Sequence, residues 1–223
     1  MAQDPEELFD LCDANGLPTG AIKPRGLVHR DGDWHRSFHC WIVSAKSGRP
    51  ELIMQRRSPD KDTWGGRWDV SVGGHYAAGE GIEGGLREIE EELGIQVALD
   101  ELTPAARRRD ETWHPNSLID REVQDVFFLR RDLDVGSLRP SPLEVTALAS
   151  VPADKLSHVA AGKIESIIVE GIELCQNGDW AHATFSIGQE SLVPGKGQYY
   201  EKAARFAANL VHERPALRHL VWW

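Results

Sequence analysis

Apolar residues recur along this chain with two periods, and the switch between them predicts its elements. Residues 37 to 45, SFHCWIVSA, form a near-continuous apolar run of strand length, followed by a turn over Lys46 to Pro50 and a second strand over Glu51 to Arg57. Phe9 to Cys12 reads as an earlier strand that ends in a tight turn at Asp13-Ala14-Asn15-Gly16, with Asn-Gly as the turn signal. A loop rich in Gly, Pro and Asp over 58 to 67 leads to Trp68 to Val72; further strands are predicted over Val123 to Arg130 and Glu144 to Val151. The helical period appears at Leu86, Ile89 and Leu93, whose spacings of three and four put them on one stripe. Gly94 is a natural stop for that helix, and Ile95-Gln96-Val97 behind it looks strand-like. Pro152 to Leu156 reads as a helix start. Tyr199 to about His212 reads as a helix with Ala203, Phe206, Ala207 and Leu210 on its core face. Strands and helices interleave, so the fold class is mixed α/β.

The polar face of the helix around Ile89 carries the candidate chemistry. Glu88 and Glu92 are four residues apart, Glu91 lies one residue round from Glu92, and Arg87 is placed to pair with Glu91. Like charges at helical spacing destabilise a helix by roughly 0.2–0.5 kcal/mol per pair. A divalent cation would turn that cost into a binding site, because hard cations take carboxylate oxygens and keep waters for a phosphate substrate. Gly84 and Gly85 each cost about 1 kcal/mol against alanine in a helix, which suits a backbone that must approach something closely. The alternative is a solvated acidic face on an ordinary amphipathic helix.

Composition narrows the classes. The chain has 223 residues and a formal charge of −10, enough length for one domain with decorations over a full core. That charge argues against long nucleic acid as a partner, since backbone binding needs a basic footprint. Anionic phosphates can still bind where metal ions bridge the charges. Cys12, Cys40 and Cys175 are scattered without CxxC spacing, so neither a disulfide framework nor a structural zinc site is indicated. The acidic N-terminus lacks a signal-peptide core and no apolar run reaches membrane-spanning length; the expected setting is a reducing cytoplasm.

The stretch from residue 73 to 95 resembles the Nudix box, G-x5-E-x7-R-E-U-x-E-E-x-G-U with U apolar. Arg87-Glu88-Ile89-Glu90-Glu91-Glu92-Leu93-Gly94-Ile95 matches its second half throughout, and Gly74 with Glu80 satisfies G-x5-E. Six residues rather than seven separate Glu80 from Arg87, a one-residue shortening of the loop that puts the role of Glu80 in question and leaves the helix intact. The resemblance implies a Nudix fold, a mixed sheet sandwiched between helices. It also implies a hydrolase that uses Mg²⁺, with Mn²⁺ an alternative, to cleave the diphosphate linkage of a nucleoside diphosphate joined to another group, or of a similar small organic diphosphate. In that reading Glu88 and Glu92 are the principal metal ligands and Glu91 supports them. Arg87 orients the glutamates, and Gly73 and Gly74 let the loop pack under the metal.

The order of Cys12-Asp13 to Gly20, Arg25, His29, His35-Arg36-Ser37-Phe38, Trp41, Gln55-Arg56-Arg57-Ser58, Trp64 to Trp68 and Ser71 to His75 is similar to isopentenyl-diphosphate isomerase-like Nudix proteins over residues 8 to 156. In those isomerases two N-terminal histidines, the histidine after the glycine turn and an E-x-E pair bind a metal. His35 and His75 match, as does the pair Asp120 and Glu122, which share a strand face. Glu122 is a candidate for an additional ligand or general base. The spacing from His29 to His35 is one residue short, and His29 and His39 read more readily as surface or core residues than as ligands. The isomerases carry a catalytic cysteine where this chain has Gly73, and glycine cannot move a proton, so hydrolysis is expected. An isomerase-like enzyme and a non-catalytic diphosphate sensor are the alternatives.

One Nudix domain is expected over 1–223, with an N-terminal hairpin at 8–24, a core over about 25–156 and a C-terminal extension over 157–223. Arg107-Arg108-Arg109 with Trp113 reads as a solvated basic run, with contact to a phosphate and a base as the second reading. Trp222 and Trp223 read as packing or dimer contacts, which leaves a homodimer open.

Overall fold

A computed structural model describes residues 4–115 and 118–212; Trp222 and Trp223 lie outside them. Eleven strands are present among the described residues: β1 (Leu8–Cys12), β2 (Pro18–Pro24), β3 (Trp34–Ser44), β4 (Glu51–Arg57), β5 (Trp68–Asp69), β6 (Val72–His75), β7 (Leu102–Trp113), β8 (Ile119–Arg130), β9 (Val145–Pro152), β10 (Ser166–Leu174) and β11 (Trp180–Gly188). The four α-helices are α1 (Arg25–Asp31), α2 (Ile82–Leu93), α3 (Ala153–Ala160) and α4 (Gly197–Val211). The class is α+β, with one large, mostly antiparallel sheet in the order β11-β10-β9-β4-β3-β1-β2.

Strand β3 is the hub. It pairs antiparallel with β6 from Ser37↔His75 to Cys40↔Val72, then with β4 from Ile42↔Ile53 onwards. On its other edge it pairs parallel with β8 from Trp34↔Arg121 to Val43↔Arg130. A parallel pair needs both faces covered, and the apolar run of β3 supplies residues for both. Phe38, Cys40 and Ile42 join Ile89 and Leu93 of α2 in one core. Trp41 and Val43 join Phe128, Leu156, Tyr200 and Phe206 in the other, under α3 and α4. The alternation is the two-residue period of a strand expressed on a strand buried twice.

Helix α2 lies against β3 at van der Waals distance because it carries Gly85: a Cβ there would overlap the buried ring of Phe38. That accounts for a glycine that helix propensity alone disfavours. The expected strand at Ile95–Val97 does not form. After the left-handed Gly94 the chain runs without regular structure to a short 3-10 turn at Leu99–Glu101. The basic run 107–109 is the middle of β7, a twelve-residue strand on the edge of β8. Arg107 pairs with Asp125 at 3.0 Å, and Arg108 pairs with Asp110 at 2.5 Å while its guanidinium lies 4.8 Å from the centroid of the Tyr199 ring. Beyond α3, the hairpin β10–β11 adds two strands to the sheet through β9. No helix of the described residues is long and apolar enough to cross a membrane.

Candidate functional site

A cleft of about 620 Å³ opens where α1, β3, β6, β8 and α2 converge. Strand register assembles one end of it. The pairing β3–β8 sets His35 opposite Glu122, and β3–β6 sets Ser37 opposite His75. His29 arrives from α1, which ends at Gly32 with φ of 69°. In that left-handed region a side chain is strained, and a Cβ would also run into Ile119. The reversal at Gly32 folds His29 back beside His35, so the short interval between them is absorbed by the turn.

One ligand atom from each of His29, His35, His75 and Asp120 lies within 4.8 Å of the others. His29 Nε2, His35 Nε2 and Asp120 Oδ1 are buried without a hydrogen-bond partner, while His75 Nε2 faces Glu122 Oε1 at 3.0 Å. Buried polar atoms are ordinarily paired, and each left unpaired costs about 1–3 kcal/mol. Phe9 of β1 stacks on His75 and His35 at ring-centroid distances of 4.9 and 5.3 Å and closes the cluster. His35 Nδ1 lies 3.1 Å from the carbonyl of Asp33; donating there, it leaves Nε2 with a free lone pair, the arrangement a metal-binding imidazole requires.

The electrostatics fit the same picture. Burial drives the pKa of His29 down to about 2 and that of His75 to about 4, and lowers His35 as well. All three are therefore neutral; Arg25 donates to His75 Nδ1 at 3.3 Å, which sets the His75 proton on Nε2 towards Glu122. Burial, then the charge of Glu122, raises Asp120 well above the carboxylate range. Glu122 moves the other way: burial opposes its charge, and the His75 contact with the neighbouring imidazoles outweighs that and holds it ionised. Its Oε1 is 3.0 Å from His75 Nε2, and Gln124 donates to its Oε2. The donor set fits a divalent cation, and His29, which sequence spacing left outside the set, is part of it. No signal local to the sequence identifies it, because the approach depends on the Gly32 turn.

The other end of the cleft is the polar face of α2. Glu92 is only 2% exposed; it accepts hydrogen bonds from Gln55 Nε2 at 3.0 Å and from the backbone N–H of Gly73 at 3.4 Å. Glu88 sits over Gly74, where any Cβ would overlap its carboxylate. Burial, then the charge of Glu92, raises Glu88 to about 8, and burial also raises Glu92. Glu91 is the exposed member, held at 2.9 Å by Arg87, which also reaches Glu88 at 3.1 Å. Glu80 shares Arg87 Nη2 with Glu88, each at 3.1 Å, and accepts from the backbone of Ala77 at 2.9 Å, clamping the loop to the helix.

Arg25, Arg57, Lys61 and Lys196 also line the cleft. Lys61, paired with Glu144, has its pKa lowered to about 8 by burial. Lys196 reaches Asp69 at 3.3 Å from the segment before α4. Sequence spacing does not single out Arg57, Lys61, Asp69 or Lys196, because each is a common residue type in an uninformative local pattern.

The NUDIX domain family model matches residues 33–169. An uncharacterized Nudix hydrolase of Clostridium acetobutylicum is 34% identical over 200 residues, covering 90% of this chain and 96% of that protein. Nudix hydrolase 3 of Arabidopsis thaliana is 38% identical over 69% of this chain, which spans 19% of that longer protein. The isopentenyl-diphosphate Delta-isomerase of Paenarthrobacter aurescens is 34% identical over 68% of this chain and 82% of its own length. A Deinococcus radiodurans crystal structure superposes with a TM-score of 0.52 at 23% identity, covering 70% of this chain and 90% of that one, and agrees in fold.

Proposed function

The chain belongs to the Nudix hydrolase family, and on that premise we propose that it is a metal-dependent pyrophosphohydrolase cleaving the diphosphate linkage of a small organic diphosphate. The family and the relatives named as Nudix hydrolases make it an enzyme of the pyrophosphohydrolase type. The observation that supports the finer reading is the meeting in one cleft of two donor sets: Glu88 and Glu92 of α2, and the cluster of His29, His75 and Asp120 with the fully buried His35 beside it. We read residues 8–212 as one domain, because β10 pairs with β9 of the central sheet.

A divalent cation bound at these sites neutralises phosphate oxygens and acidifies a water molecule. Glu88 and Glu92, all oxygen donors, suit Mg²⁺, with Glu91 and Arg87 orienting them. The imidazole-rich set with Asp120 and Glu122 suits a softer divalent ion such as Mn²⁺. Acidic side chains outnumber basic ones two to one along the cleft, so a diphosphate enters favourably only with its cations. Arg25, Arg57 and Lys61 supply fixed positive charge to orient the phosphates. Glu122, held ionised, is placed to take a proton from water. Gly73 supplies no acid or base, which disfavours allylic isomerisation despite the isomerase relatives; space is not what is missing, since a Cβ there meets nothing nearer than 3.4 Å.

The test is a phosphate-release screen with Mg²⁺ or Mn²⁺ over nucleotide sugars, dinucleoside polyphosphates, ADP-ribose, NADH, coenzyme A and prenyl diphosphates. Turnover of at least one is expected. Binding without turnover across the panel would favour a sensor, and allylic proton exchange on isopentenyl diphosphate an isomerase. A pH series adds a second check. With Glu88 raised to about 8, Mg²⁺ must displace its proton below that pH. The apparent Mg²⁺ dissociation constant is therefore expected to fall up to tenfold per unit from pH 6 to 8 and to level off above; a flat profile would remove Glu88 from the ligand set.

A further inference from the structure

Strands β2, β7 and β11 each pair on one side only, so each presents an open sheet edge among the described residues. Such an edge is a template for another strand, and proteins guard it with proline, charge or a bulge. Two of the three are guarded. β2 has Pro18 and Pro24 at its ends, Lys23 between them and a register break against β1. β7 has Pro104, a register break beside it and the charged run from Arg107 to Glu111. β11 has none of these. Its sequence, WAHATFSIG, contains no Pro, Asp, Glu, Lys or Arg, and it pairs with β10 in unbroken register over all nine residues.

The phase of the ladder shows which groups that edge offers. Across the hairpin turn the Cys175 N–H donates to the Asp179 carbonyl at 2.8 Å. Hydrogen-bonded and non-bonded pairs alternate from there. Ala181, Ala183, Phe185 and Ile187 therefore bond to β10, and the backbone groups of His182, Thr184 and Ser186 point outward. Those three residues are exposed. A twofold axis perpendicular to the sheet at Thr184 lays a second β11 antiparallel on the first. Thr184 then stands opposite Thr184 and His182 opposite Ser186, so no like charges meet. On the other face Ala181 falls opposite Ile187 and Ala183 opposite Phe185, which carries the apolar layer of Phe185 and Ile187 across the seam. Ile168, at 69% the most exposed large apolar side chain among the described residues, lies opposite Ser186 on β10 and flanks the same edge.

We propose that the β11 edge is a homodimer interface, through which two copies of this chain join their sheets by antiparallel β11–β11 pairing about Thr184. A second copy suits the edge better than an unrelated strand because the seam is complementary to itself: neutral polar residues oppose each other, and small side chains oppose large ones. Nine residues span about 30 Å of ladder, a contact at the low end of interface sizes, so a Kd on the order of micromolar is expected. β11 lies outside residues 33–169 matched by the family model, so the C-terminal segment supplies the contact. No residue of β10 or β11 lines the cleft, and the dimer is independent of the hydrolase reading.

Sedimentation velocity on full-length protein, at concentrations spanning about 1–100 μM around that Kd, is expected to show a concentration-dependent dimer. Thr184→Pro is expected to be monomeric throughout with an unchanged far-UV circular dichroism spectrum, because the Thr184 N–H takes no part in the β10 pairing and edge positions accept proline. Thr184→Cys in a Cys175→Ser background tests the register without a proline. It sets two thiols across the axis within the span of a disulfide, while Cys12 and Cys40 are buried. Oxidation with diamide is expected to convert most of that variant to a covalent dimer, and Glu170→Cys, one strand further in, is expected to stay uncross-linked. Trp222→Ala with Trp223→Ala should keep the dimer. A wild type that stays monomeric, a dimer that survives Thr184→Pro, a dimer lost with the two tryptophans, or failure of Thr184→Cys to cross-link overturns the proposal. If Thr184→Pro does not fold, the contrast between Thr184→Cys and Glu170→Cys decides.

Discussion

Glu92→Gln is expected to lose metal-dependent diphosphate hydrolysis by about a thousandfold or more, roughly 4 kcal/mol of barrier, without loss of the fold. Glu92 is enclosed, with Gln55 and the Gly73 N–H fixing one carboxylate oxygen. The amide has the same shape, so it leaves no cavity. It also removes a buried charge whose pKa is already raised by burial, so stability should hold or improve. What disappears is the anionic oxygen a hard cation needs. Glu91→Gln is the internal control. Glu91 is the exposed carboxylate, 56% accessible and tied to Arg87 at 2.9 Å, and its loss should cost less than about tenfold, the scale of a supporting contact outside the direct ligand set. Hydrolysis near the wild-type rate in Glu92→Gln, measured as Mg²⁺-dependent phosphate release, would remove α2 from the mechanism.

Helix α2 was legible in the sequence because everything that defines it is local. Leu86, Ile89 and Leu93 set the stripe, Gly94 sets the stop, and the carboxylates follow from helical spacing. Even the two costly glycines hinted at close packing, which the Phe38 ring beneath Gly85 explains. Strands β3 and β4 were legible for the same reason. What escaped was set by tertiary structure. His29 reads as an ordinary histidine until the Gly32 reversal brings it to His35, and Arg108 reads as solvated until Tyr199 arrives beneath its guanidinium from ninety residues away. Ile95 to Val97 has strand-like composition, yet Ile95 and Val97 pack against the core under α2 without pairing to a strand. The residues that line the cleft from outside α2, such as Asp69 and Lys196, carry no periodic signal, because partners brought together by the sheet leave no spacing in the chain. The resemblance supplied what periodicity could not for His35, His75, Asp120 and Glu122, and it faltered at His29, where the spacing changed.

The imidazole cluster should be visible as a metal-dependent gain in stability that His75→Ala abolishes. Without a cation, three buried ligand atoms, His29 Nε2, His35 Nε2 and Asp120 Oδ1, have no hydrogen-bond partner, and each such atom costs the native state about 1–3 kcal/mol. The unfolded chain solvates the same atoms with water and binds the ion weakly. Mn²⁺ at a hundred times its dissociation constant then stabilises by about 2.7 kcal/mol, which for a chain of this length raises Tm by roughly 5–10 °C. Asp120 must lose the proton that its raised pKa holds before it can ligate, so this gain is expected to shrink as pH falls. His75→Ala removes one donor and unstacks Phe9, so the variant starts lower and shifts little. Glu92→Gln leaves the cluster untouched and should keep the Mn²⁺ shift in full. Thermal melts with and without Mn²⁺ after chelation separate the two donor sets. A shift that survives His75→Ala but vanishes in Glu92→Gln would place the tight metal on α2 and leave the histidine cluster as a strained packing motif.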